Sequence, residues 1–136
     1  MVKEFHFQGM TEEQLKKLTI DEFAKIADSR IRRSLKRGLT EQQKILLENI
    51  RKDPQKFHKT HVRDMVILPE MIGVKLGVYL GGSKAGDAGG RWQILTVAPE
   101  MVGFRLGDFA VPVKRVKHSA PGLGASRGSK HYATKT

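Results

Sequence analysis

The sequence predicts an α+β fold: a small three-stranded sheet body with short helices, preceded by a helical N-terminal extension and followed by an extended basic tail. Three observations predict it. Helix-start signals recur through the first sixty residues. Short β-forming runs around a Gly-rich loop come next. From Val111 onward there are six Lys and Arg and no acidic residue. The expected boundaries are 1–61 for the extension, 62–113 for the α/β body and 114–136 for the tail. A chain of 136 residues suits one domain with an extension better than two full domains.

The helices begin at three capping boxes, each a Thr followed three residues later by Gln or Glu: Thr11 with Gln14, Thr19 with Glu22, and Thr40 with Gln43. In each box the hydroxyl accepts from an orphan backbone N–H while the longer side chain reaches back. Leu15 and Leu18 give the first helix an apolar edge, and Phe23, Ile26 and Ala27 do so for the second. Leu35 continues that face if the chain bends near Asp28–Ser29, and Gly38 supplies the stop. The third helix is expected to carry Ile45, Leu46 and Ile50 on one face. It ends at Asp53-Pro54, because the residue before proline is steered out of the α region.

Three runs then read as strands: Met65 to Leu68, Val74 to Leu80, and Trp92 to Val97. Between the last two, residues 81–90 are so rich in Gly that they read as a hairpin loop. The tail has Pro112, Pro121, Gly122, Gly124 and Gly128 among its bases, and too few large apolar groups to fold alone.

An internal echo runs through the body. Pro69-Glu70-Met71-Ile72-Gly73-Val74-Lys75-Leu76-Gly77 matches Pro99-Glu100-Met101-Val102-Gly103-Phe104-Arg105-Leu106-Gly107, each copy following a strand candidate. Proline at the first helical position with Glu beside it suits a helix start. Each copy is therefore expected to make one helical turn, reverse at Gly73 or Gly103, and present a base, Lys75 or Arg105. Two copies are too few for a solenoid.

The charge balance narrows the function. Twenty-five Lys and Arg against fourteen Asp and Glu give a formal net charge of +11. The pI is about 10.1. That is the electrostatic footprint of a nucleic-acid binder, whose phosphate contacts gain free energy by releasing counterions. With no cysteine there is no disulfide, thiol nucleophile or Cys-based zinc site. The N-terminus lacks the apolar stretch of a secretory signal. No apolar run approaches the ~20 residues that span a bilayer. No membrane partner and a cytoplasmic location are expected.

The densest basic cluster is Arg30, Arg32, Arg33, Lys36 and Arg37. In a helix Arg30, Arg33 and Arg37 share one face, while Arg32 and Lys36 share the next. Five cations within two turns repel one another, and an anionic partner offsets that repulsion. Arginine also forks onto phosphate with two hydrogen bonds. A second group gathers Lys59, His61 and Arg63 with Lys56 and His58. The tail adds Lys114, Arg115, Lys117, His118, Arg127 and Lys130. With Lys75 and Arg105 from the echo, these are the expected RNA phosphate contacts. Such contacts set position and leave the choice of RNA to its shape. Trp92 reads as a core anchor or loop-flanking residue rather than a stacking platform.

Signals for catalysis are weak, and no enzyme and no cofactor are expected. There is no Gly-Lys dipeptide and so no P-loop. Gly122-Leu123-Gly124 opens like a dinucleotide loop but meets Arg127 where a third Gly belongs. His58 and His61 have no convincing third metal ligand nearby. Helix-start electrostatics accounts for Glu70 and Glu100 without chemistry. The rival to RNA binding is a DNA- or chromatin-binding basic protein, with the Arg30–Arg37 helix in a major groove. Against it stands the absence of a helix-turn-helix apolar pattern and of Asn or Gln placed for base readout.

The strings Asp64-Met65-Val66-Ile67-Leu68-Pro69-Glu70-Met71-Ile72-Gly73 and Met101-Val102-Gly103-Phe104-Arg105-Leu106-Gly107-Asp108-Phe109-Ala110 carry a resemblance. They resemble the small-subunit ribosomal protein family numbered nineteen, called fifteen in eukaryotes. Lys117-His118-Ser119-Ala120-Pro121-Gly122-Leu123-Gly124-Ala125 and the stretch from Ser29 to Leu39 resemble its archaeal and eukaryotic branch. The likeness covers nearly the whole chain. It implies a small α/β body with a three-stranded sheet, a structural role in the head of the small subunit, and binding to small-subunit rRNA of the 3′ major domain. It implies contact with neighbouring proteins of the head, especially the thirteenth small-subunit protein, and a tail reaching toward the decoding region and its tRNAs. The Gly81–Gly90 loop is longer than the tight hairpin the resemblance implies.

Overall fold

The computed structural model describes residues 5–81 and 91–113. The expectations for the Gly-rich loop, apart from Gly81, and for the tail bases from Lys114 onward lie outside the described residues.

Four helices come first: α1 (Glu12–Lys16), α2 (Ile20–Ile26), α3 (Ser29–Lys36) and α4 (Glu41–Lys52). Three of them open at the anticipated boxes. The Thr19 N–H donates to Glu22 at 2.9 Å and the Glu22 N–H returns to the Thr19 hydroxyl at 3.4 Å. Thr40 and Gln43 do the same at 3.0 and 3.4 Å. At Thr11 the N–H donates to the Gln14 side chain at 3.1 Å. The Glu22 carboxyl is held below its ordinary value, first by the Thr19 backbone N–H and then by the Thr19 hydroxyl. Its stabilising share is full at neutral pH and is lost as pH falls through that lowered value. Replacing Thr40 with Ala is expected to destabilise α4 by about 1 kcal/mol, seen as a lower urea midpoint with unchanged slope.

The suspected bend at Ser29 is a complete break. Ala27 turns extended, the Asp28 carboxylate accepts from the Arg30 N–H at 3.4 Å, and α3 starts anew. Gly38, at φ +89°, follows α3 in the left-handed conformation that glycine adopts without strain. One expectation fails in α4: Ile45 points outward, 58% exposed, while Leu46, Leu47 and Ile50 are buried. Those three lie at i, i+1 and i+4, a continuous helical stripe, and Ile45 falls outside its angular width.

The sheet is three-stranded in the order β1 (His58–Thr60), β2 (Lys75–Tyr79), β3 (Trp92–Thr96). The β2–β3 hairpin is antiparallel as anticipated, with Leu76 opposite Leu95 and Tyr79 opposite Trp92. The third strand is not Met65–Leu68. That slot belongs to His58–Thr60, which runs parallel to β2. Residues 61–74 connect the two, about the dozen or more that a parallel crossover needs. Met65, Val66, Ile67 and Leu68 are all buried inside that crossover, and their backbone pairs with the second echo copy instead of the sheet.

The echo is real in three dimensions. Pro69–Met71 and Pro99–Met101 each form one 3₁₀ turn, with Gly73 at φ +90° and Gly103 at φ +86° reversing the chain after them. The two copies exchange hydrogen bonds with each other's lead-in strands. Gly73 N–H donates to Val97 O at 2.8 Å and Val97 N–H to Val74 O at 3.0 Å. In mirror fashion, Gly103 N–H donates to Ile67 O at 3.1 Å and Ile67 N–H to Phe104 O at 2.8 Å. The result is a reciprocal latch with approximate two-fold character.

Helices and body share one core. Phe23, Ile31, Leu35, Leu46, Leu47 and Ile50 pack in the same cluster as Met65, Ile67, Leu76, Val78 and Leu106. Two polar links reinforce the join. Arg51 of α4 forks onto Glu70 at 2.8 and 3.0 Å, and the largely buried Gln43 donates to Asp64 at 3.1 Å. This shared packing fixes where α3 stands against the second echo turn.

Candidate nucleic-acid interface

Against the body, α3 forms a cleft of about 500 Å³ lined by Arg30, Arg33, Arg37, Arg105, Gln43 and Asp64, among others. The helix supplies three guanidiniums because positions 30, 33 and 37 recur on one face. The second echo turn supplies the fourth. Four arginines and a single acidic residue, Asp64, share this lining, and the Asp64 carboxylate accepts from Gln43. Such a concentration of like charge is unfavourable in the free protein and favours an anion that can sit among the forks. Arg105 adds a second sign. Its Nε is buried without a hydrogen-bond partner among the described residues, and buried polar groups are rarely left so. Arg30 and Arg105 also line a neighbouring cleft of about 730 Å³ with Phe7, Asp28, Phe104 and Asp108. The basic surface therefore continues around the end of α3.

The other two bases of the α3 cluster do not line the 500 Å³ cleft, although Arg32 borders the neighbouring one. Arg32 folds back over α2, its Nε donating to Ala24 O at 3.2 Å and its Nη2 to Ala27 O at 2.9 Å. There it satisfies the last carbonyls of a helix that ends without a glycine cap. Lys36 is exposed on the adjoining face.

Arg63 points inward. It donates to Tyr79 O at 2.8 Å, Ala110 O at 2.5 Å and Gly107 O at 3.4 Å, tying the end of β2 to the Leu106–Phe109 turn. Gly107 is needed there: a Cβ would lie 3.0 Å from the Arg63 carbonyl oxygen. Lys59, His61 and Lys75 stand elsewhere, on the outer side of the sheet. Lys59 and Lys75 are exposed, and Lys59 Nζ lies 5.5 Å from the centre of the Trp92 ring. His61 packs against Tyr79 and Trp92 at 4.6 and 5.0 Å between ring centres. Trp92 thus flanks the loop but is no core anchor, since it stays half-buried in a surface cluster. The two histidines considered for a metal part company, with His58 Nε2 lying 2.8 Å from Asp53 O. Glu70 is taken up by Arg51.

Sequence reasoning found the Arg30–Arg33–Arg37 face from its spacing and Arg105 from the echo. It did not join them, because nothing local says that α3 packs beside the second turn. For the same reason it did not place Asp64 or Gln43 in the cleft.

Residues 33–118 match the family model for ribosomal protein S19. The chain is 44% identical to the small ribosomal subunit protein uS19 of Saccharolobus solfataricus over 98% of this chain and 93% of that protein. It is 41% identical to the protein of the same name from Metallosphaera sedula, with the same coverage. The family model begins inside α3, whereas both relatives extend through the preceding helices. The family model covers well more than half of the chain and the two relatives cover 98% of it, so the chain belongs to the ribosomal protein S19 family and is a structural protein of the small ribosomal subunit, not an enzyme.

Proposed function

We propose that the protein binds rRNA of the 3′ major domain in the head of the small subunit of the cytoplasmic ribosome, with the cleft between α3 and Arg105 as its main phosphate site. The observation that carries this reading is the meeting of Arg30, Arg33, Arg37 and Arg105 around one cavity. Four forked donors on a curved wall suit a sharply turned phosphate backbone, where oxygens crowd and a protein contact offsets their repulsion. Lys36, Lys59 and Lys75 extend the phosphate contact over the helix and sheet surfaces, and His61 lies beside Lys59 with its ring against Tyr79 and Trp92. The tail bases Lys114, Arg115, Lys117, His118, Arg127 and Lys130 continue it toward the decoding region and its tRNAs. Arg32 and Arg63 support the grip indirectly, by holding the ends of α2 and β2 in place. The exposed Phe104, in the lining of the larger cleft, is the apolar contact we assign to a head neighbour such as the thirteenth small-subunit protein.

The test is direct binding of the full chain to small-subunit rRNA across a salt series, with duplex DNA as competitor. The expected result is affinity that falls steeply with salt and resists duplex DNA, together with co-sedimentation with small subunits. Equal displacement by duplex DNA would favour the DNA-binding reading and remove this one.

A further inference from the structure

The outer face of the sheet carries a cluster that a phosphate grip does not explain. Strand residues alternate between faces, so Lys75, Gly77 and Tyr79 of β2 share one side with their partners Thr96, Ile94 and Trp92 of β3. Lys59 of β1, opposite Gly77, joins them. His61 lies two residues beyond Lys59 and brings its ring to the same corner. Three rings meet there: His61 and Tyr79 at 4.6 Å, His61 and Trp92 at 5.0 Å, and Tyr79 and Trp92 at 5.2 Å between centres. Ile94, next to them, is 66% exposed. None of the three strands contains an acidic residue.

We propose that this corner is a stacking site for an unpaired nucleobase of the bound RNA. The proposal rests on the RNA-binding reading above and adds to it a contact with a base rather than a phosphate. Rings that already brace one another present a π-surface whose orientation is set before binding, so little ordering remains to oppose association. An unstacked base matches such a surface whatever its identity. Lys59 and Lys75 provide positive charge on the same face for the phosphates on either side of that base. An apolar protein partner would leave both lysines without counter-charge, which is why RNA is the better occupant. Arg63 acts as a positioning residue here, because its bond to Tyr79 O anchors the strand end that carries the tyrosine.

Trp92 is the only tryptophan, so its fluorescence reports on this corner alone. The experiment titrates the full chain with a short oligoadenylate, with small-subunit rRNA, and with inorganic polyphosphate, which has the charge but no bases. Oligoadenylate and rRNA are expected to quench Trp92, and polyphosphate is not. His61→Ala and Ile94→Ala, both at exposed positions and checked for folding by circular dichroism, should each weaken oligoadenylate binding, His61→Ala by about tenfold. The slope of affinity against salt should be unchanged, because no phosphate contact is removed. Equal quenching by polyphosphate, or wild-type affinity in His61→Ala, overturns the stacking site. So does salt-dependent rRNA binding that leaves Trp92 emission unmoved, an outcome that keeps the phosphate cleft. Emission that changes only when a head protein is added assigns the face to that protein instead. Failure to bind rRNA at all removes the parent reading and this one with it.

Discussion

Replacing Arg30, Arg33, Arg37 and Arg105 together with Gln lowers affinity for small-subunit rRNA by roughly a thousandfold near 0.1 M salt, and makes the slope of log affinity against log salt shallower by about 3. The magnitude follows from removing four phosphate contacts, each of which releases most of one counterion when it forms. Glutamine keeps much of the length and all of the polarity, so the cleft wall stays solvated. The free protein should be no less stable, and somewhat more so, because four like charges crowded around one cavity oppose folding. Lost affinity with a maintained or raised melting temperature separates a broken binding site from a broken fold. An unchanged salt slope in the quadruple variant would sink the assignment of this cleft to phosphate.

The reverse pattern is expected for Arg63→Met. Methionine keeps the aliphatic stem but leaves the carbonyls of Tyr79, Gly107 and Ala110 without their shared donor. A hydrogen bond from a charged group contributes about 1.5–3 kcal/mol. Water reaches part of this half-buried site and satisfies some of the loss, so the total is about 3 kcal/mol rather than three full increments. Urea unfolding should show a lowered midpoint with an unchanged slope. The salt slope for rRNA should stay as in the wild type, since the guanidinium is committed to backbone oxygens. A flattened salt slope with no loss of stability would place Arg63 among the phosphate contacts after all.

These opposite expectations for arginines of one chain show where reading the sequence succeeds. Local patterns were legible. The three Thr boxes, the reversals at Gly73 and Gly103, the β2–β3 hairpin and the shared face of Arg30, Arg33 and Arg37 all follow from spacing within a few residues. What depends on distant packing was not. Arg32 and Arg63 look like their basic neighbours until the carbonyls they meet, from the end of α2 or from residues far along the chain, are known. Met65–Leu68 has the composition of a strand, yet its partners lie in the second echo copy, and the short, polar His58–Thr60 takes the edge of the sheet. Helical spacing groups Ile45 with Leu46 and Ile50, yet the buried stripe of α4 runs through Leu46, Leu47 and Ile50 and excludes it. In the candidate site the arginines could be named one by one, but the cavity they enclose could not.

The reciprocal latch between the two echo turns has a consequence for how the body tolerates change. It ties the open end of the β2–β3 hairpin from both sides, through Val97 with Gly73 and Val74 and through Ile67 with Gly103 and Phe104. The register of the hairpin is therefore set at its base, and its tip need not hold it. Lengthening a loop that is already closed elsewhere costs little, about 0.6 kcal/mol for each doubling. Residues 81–90 can thus grow, shrink or change composition with small effect on the scaffold. Insertions between β2 and β3 are therefore expected to leave the arginine cleft in register, because the latch and not the hairpin tip holds the second echo turn.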